Sequence, residues 1–214
     1  MGLALLLVLG LPIGLALLRW LEPEQKFSST ILLAPMAGLL CLMLLIASSV
    51  LLFSGFTISA CFFLILIAEI ISIRFLLKTS FGVDIDDSFL KQKMTRISIA
   101  LVIILSLLPI YLFKVPNGVD WIGFSSLTNL YSTTGSTQIP SPNIGYWTYP
   151  PAFPATAALL QVALNLPASD AVQLLGRISL MFLLLAVMGL AQRWNAGVET
   201  LIAMALGFGL FVKV

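Results

Sequence analysis

Histidine is missing from this sequence altogether. That removes at once the side chain most often used as a general base near neutral pH and the commonest metal ligand. Acid–base chemistry therefore falls to the nine Asp and Glu residues. Charge is scarce too: Asp, Glu, Lys and Arg make up 9% of the chain, where a soluble domain carries roughly 25%. The two cysteines, Cys41 and Cys61, stand inside apolar runs and read as small hydrophobes rather than a disulfide. No G-x-G-x-x-G or G-x-x-x-x-G-K phosphate cradle occurs. With a net charge of +2, a pI near 8.6 and no basic stripe along any helical face, a nucleic-acid partner is excluded.

What fills the 214 residues instead is hydrocarbon: 60% hydrophobic side chains and a mean hydropathy of +1.10. The pattern predicts an all-α protein, a polytopic transmembrane helix bundle of about seven spans with one long extracytoplasmic loop. Met1–Leu18 is uncharged, with Arg19 and Lys26 after it rather than before it, so it reads as a retained first helix and not as a cleaved signal. Gly10 and Gly14 make a small-xxx-small pair that either admits a neighbouring helix or, with Pro12, marks a kink. Phe27–Ala68 is a charge-free run of 42 residues, too long for one helix, and is expected to fold at Ser54-Gly55 into a hairpin of helices over 30–53 and 56–77. Ile97–Phe113 predicts a fourth span, the short Ala152–Leu166 a fifth or a re-entrant segment stopped by Asn165-Leu-Pro167, and Ser169-Asp170, with Gln173, caps a sixth running to about Ala191. Val198–Val212 begins a seventh after the turn 192–197. The chain thus divides into 1–113, the loop 114–151, and 152–214, with no internal repeat of the kind that marks many transporters.

Glu69 is an acid inside the third predicted span, where an unpaired carboxylate costs ~2.5–3.5 kcal/mol at mid-membrane. Either it pairs with Arg74 or with a basic residue of the next helix, or it belongs to an ion or proton path; the pairing is the expectation. In loop 78–96, Asp84, Asp86 and Asp87 either hold a hard cation or, with Ser88, open a helix in a solvated loop, which is the simpler account. With the amino terminus outside, Arg19, Lys26, Arg74, Lys78, Lys91, Lys93, Arg96, Arg177 and Lys213 fall on the cytoplasmic side and only Lys114 and Arg193 on the other. This bias places loop 114–151 on the extracytoplasmic face of the plasma membrane, and Trp20, Trp121, Trp147 and Trp194 at span ends.

That loop is the only long polar stretch, and from Asp120 to Asp170 it holds no charge between them. A long loop kept by an oily chain is where function concentrates. At about 100° per residue, 121–132 forms a short amphipathic helix with Trp121, Phe124, Leu127 and Tyr131 on one face and Ser125, Ser126, Asn129 and Ser132 on the other, suited to the membrane interface. Asp120, just before it, is either the N-cap of this helix or a carboxylate free for chemistry at the lipid surface. The Pro- and Ser-rich segment 132–145 is expected to be an irregular lid, and Tyr146, Trp147 and Tyr149, before Pro150-Pro151, bring the chain back to the membrane as anchors.

Gly118-Val119-Asp120-Trp121 after an outward span, the loop with its interfacial helix, the Tyr149-Pro150-Pro151 return, Arg177 opening the next helix and Gln192-Arg193-Trp194-Asn195-Ala196-Gly197 closing it together resemble membrane glycosyltransferases of the GT-C fold. The resemblance covers about residues 100–214. It implies that the chain is the N-terminal part or a shortened relative of an enzyme that transfers a sugar from a polyprenyl-phosphate donor. It also implies that Asp120 is the catalytic base or helps to bind a divalent metal, and that Lys114, Trp121, Tyr146, Trp147, Tyr149 and Arg177 line the substrate. Membrane lipid and a homo- or hetero-oligomeric partner complete the expected associations. The competing readings are a non-catalytic membrane subunit, in which Asp120 is only a cap, and a transporter coupled through Glu69.

Overall fold

The computed structural model describes residues 1–23, 27–79, 96, 97, 99–104, 120–141 and 145–194, and within them the chain is mainly helical. Among the described residues four helices are long and apolar enough to cross a membrane: α1 (Gly2–Leu21), α2 (Phe27–Leu52), α3 (Ile58–Lys78) and α6 (Ala168–Arg193). Two shorter helices, α4 (Asp120–Thr134) and α5 (Ala152–Leu164), lie between α3 and α6 in sequence, separated by a hairpin of β1 (Gln138–Ser141) and β2 (Gly145–Thr148). Most of the fourth predicted span, the acids of loop 78–96, Lys114 and the predicted seventh span lie outside the described residues.

α1 and α2 meet backbone to backbone. A methyl group on Gly14 would collide with the Ala34 carbonyl, and one on Gly38 with the Gly10 carbonyl, so the small-xxx-small pair serves close helix approach. The hairpin between α2 and α3 turns at Ser54 and Gly55, within a few residues of its expected place, with Ser54 in the left-handed region at φ 52°. Cys61, on the buried side of α3, donates to the Ser49 hydroxyl of α2 at 3.7 Å; both cysteines are free thiols.

The direction of α6 departs from the expected topology. Gly2 of α1 sits against Leu164 of α5 and Leu174 of α6, Gly189 of α6 sits against Ser29 and Leu32 of α2, and Arg193 forms an ion pair with Glu22 at 2.6 Å. α6 therefore runs parallel to α1 and opposite to α2. The end at which α1 starts and α2 stops also holds the start of α6. α4 reaches the same end, where the Phe56 N–H donates to the Gly135 carbonyl at 2.7 Å; we call it the loop end. α5 stays there too. It runs beside α4, with the Thr128 hydroxyl donating to the Pro154 carbonyl at 3.5 Å and the Ser132 hydroxyl 3.0 Å from Gln161 Oε1, and its last residue reaches Gly2. With 13 residues, about 20 Å at the helical rise, it does not return the chain to the opposite end. It is shorter than the four helices long enough to cross a membrane.

Local chemistry explains the joints. Asn165 ends α5 in the left-handed conformation (φ 50°, ψ 51°), and the Leu166 N–H returns to the Gln161 carbonyl. Pro167, not Ser169-Asp170, is the N-cap of α6, because its carbonyl already accepts from the N–H groups of Asp170 and Ala171; Asp170 then stands in the first turn, at the positive end of the helix. The segment expected to be irregular pairs instead as a two-stranded antiparallel sheet, with Gln138 opposite Thr148, Ile139 opposite Trp147 and Pro140 opposite Tyr146. Its Ile, Tyr, Trp and Thr are strand formers, and a two-stranded ribbon tolerates Pro140 because both strands are edges.

Candidate functional site

α4 is built to hold one face against the bundle. The hydroxyls of Ser125, Thr133 and Thr134 donate to carbonyls one turn back at 2.6–2.7 Å, which satisfies them without outside partners. The buried centre of the helix is Thr128 and Tyr131, while Trp121 and Leu127 are half-buried and Ile122 is exposed. This differs from the simple apolar face drawn through Trp121, Phe124, Leu127 and Tyr131. The helix packs on α5 and α6 rather than only resting on an apolar plane. Tyr131 donates to the Tyr149 carbonyl at 3.5 Å, and burial pushes its phenol pKa up. Phe124 meets the ring of Tyr149 edge-on, with centroids 5.6 Å apart, and that of Phe153 at 5.0 Å. Tyr149 thus ties the approach to α5 onto α4 by ring and backbone contacts.

Between α4, β1 and Tyr149 lies a cavity of about 510 Å³, lined by Asp120, Gly123, Phe124, Ser126, Leu127, Ile139 and Tyr149. Its volume falls in the range of small-molecule sites, roughly 300–1,000 Å³. Its walls are mainly hydrocarbon and aromatic, with the Asp120 carboxylate and the Ser126 hydroxyl as polar points. Asp120 is the first residue of α4, exposed, and makes no hydrogen bond with a described residue. The carboxylate is therefore not occupied by capping. It sits at the positive end of the helix, where a negative group is favoured.

The structure brings Asp120 and Tyr149 to one cavity and leaves Trp121 beside it. Tyr146 and Trp147 occupy β2, with Trp147 in register with Ile139, which lines the cavity. Lys114 is outside the described residues. Arg177 is 6% exposed in α6, and its Nη2 has no hydrogen-bond partner. The sequence placed it at the opposite side of the membrane. The parallel course of α6 puts it in the half of the bundle nearer the loop end. Ile139 and Gly123 escaped the sequence reading. The i, i+3, i+4, i+7 spacing of Asp120, Gly123, Phe124 and Leu127 was the available signal for Gly123, and none marked Ile139 before its strand was known.

Among the described residues no three His, Cys, Asp or Glu side chains come together to hold a metal ion. Asp120 alone would supply protein carboxylate oxygens to a divalent cation, with the remaining ligands coming from substrate or water. No family model, no curated protein and no solved structure matches the chain.

Proposed function

We propose that the protein is a membrane glycosyltransferase of the GT-C type, using a polyprenyl-phosphate-linked sugar as donor and Asp120 as general base. The observation that carries this reading is a carboxylate without a hydrogen-bond partner among the described residues, on the wall of an apolar cavity at the loop end of a hydrophobic bundle. An amphiphilic donor suits such a place, because its chain stays in lipid while its head reaches the polar points. Asp120 would take the proton of the acceptor hydroxyl as that oxygen bonds to the anomeric carbon. The bond from that carbon to the phosphate oxygen breaks, and polyprenyl phosphate leaves with the electron pair. Arg177, buried in the same half of the bundle, supplies a cation suited to a phosphate. Arg19, Arg74, Lys78 and Arg193 stand toward the opposite end, so the basic bias favours an extracytoplasmic loop end.

The test is sugar transfer in vesicles from a synthetic polyprenyl-phosphate-sugar panel. Asp120→Asn is expected to lower the rate by about 10²–10⁴-fold, the usual contribution of a general base. Asp120→Ser separates base from cap, since Ser caps nearly as well as Asp: a pure cap keeps its activity and a base does not. Full activity in both variants would leave the site to partner or lipid binding.

A further inference from the structure

The cavity at the loop end makes no use of Glu69. This residue stands eleven residues into α3 and nine from its end, so it lies about 14 Å from the nearer end of the helix at about 1.5 Å rise per residue. It belongs to the buried stripe Cys61, Ile65, Glu69 and Ser72 on a helix packed against α1 and α2. It is 8% exposed, and its Oε1 has no hydrogen-bond partner. The expected pairing with Arg74 is not formed, since Arg74 is exposed on another face of α3, as is Lys78. Among the described residues, the helices packed against α3 bring no counter-charge either. α1 carries only Arg19, near its far end and donating to the Pro23 carbonyl at 2.7 Å. α2 has no charged residue, only the ionisable Cys41 and the hydroxyls of its serines and threonine. The helical residues 99–104 are all apolar, and Arg96 before them is exposed.

A carboxylate in such a place loses its hydration and gains nothing in return unless a positive charge joins it. Acids held inside membrane bundles in this way mark ion and proton paths. We propose that Glu69 is a monovalent-cation-binding site inside the bundle, where the carboxyl group of α3, walled by α1 and α2, holds either a proton or an alkali ion. The site is separate from the Asp120 cavity and does not depend on the transferase reading.

Dicyclohexylcarbodiimide tests it, because this apolar reagent converts a carboxyl group that carries its proton into a stable N-acylurea. The protein in phosphatidylcholine vesicles would be treated in choline chloride and in NaCl, then digested and mapped by mass spectrometry. Modification at Glu69, lost in Glu69→Gln and kept in Glu69→Asp, is the expected result. Equal modification in the two salts identifies the ligand as a proton; modification that falls as Na⁺ replaces choline identifies an alkali ion. The comparison of salts uses the unaltered chain, so a variant that fails to fold does not affect it. No modification of Glu69 in either salt, with the same residue reacting once the protein is unfolded in acid detergent, would overturn the proposal.

Discussion

At the scale of single residues, some buried polar groups are satisfied by the backbone and others are left open, and the second kind draws attention to function. Thr128 and Tyr131 are of the first kind, buried yet bonded to the carbonyls of Pro154 and Tyr149. Tyr131→Phe forfeits one long hydrogen bond and is expected to cost about 0.5–1 kcal/mol. Tyr131→Ala empties a fully buried site, at about 3–5 kcal/mol by analogy with large aromatic deletions. Thermal unfolding in detergent would rank them, and equal losses would deny Tyr131 its packing role. Arg177 is of the second kind. A lone buried cation adds little to stability and often costs some, so Arg177→Met is expected to leave the melting temperature level or higher while removing transfer from a phosphate-linked donor. A large fall in melting temperature would instead make the guanidinium structural.

The elements are shaped by where a side chain would not fit. Gly38→Ala puts a methyl group into the Gly10 carbonyl and forces α1 and α2 apart, at about 1–3 kcal/mol, the range for overpacking. Gly176→Ala meets nothing within 4 Å and lies in the interior of α6, so it is expected to be neutral or to stabilise by up to about 1 kcal/mol through helix propensity. Unfolding of the two variants side by side checks this contrast, which glycine content alone does not predict. At the turn between α2 and α3, Gly55 and Gly135 lie close enough that a methyl on Gly55 would stand 2.8 Å from the Gly135 carbonyl. That close approach, together with the Phe56 hydrogen bond, sets α4 on the bundle, and so sets the wall on which Asp120 stands.

For the whole molecule the decisive feature is that α1, α3 and α6 point one way and α2 the other. Trp20 and Trp194, 68% and 79% exposed, then close the opposite end together, each following an arginine at the end of a long helix. Single cysteines at Trp20→Cys and Trp194→Cys, with Cys41 and Cys61 replaced by Ala, are expected to react with a membrane-impermeant maleimide from the same side of oriented vesicles. Gln138→Cys is expected to react from the other side. Labelling of the first two from opposite sides would mean that α5 crosses the membrane after all.

The sequence by itself determined the class of protein, the apolar runs, the turn at Ser54-Gly55, the helix after Asp120 and the stop at Asn165, because each is written in local composition and spacing. Asp120 stood out for the same reason, as the only charge at the head of a long uncharged stretch. Only the tertiary structure decided that α5 remains at the loop end, that Arg177 lies in the half nearer that end, that Glu69 meets no counter-charge among the described residues and that Ile139 walls the cavity. Hydropathy measures how well a segment tolerates lipid and says nothing of where its far end goes. That is settled by contacts between residues distant in the chain, such as Gly2 with Leu174 and Glu22 with Arg193.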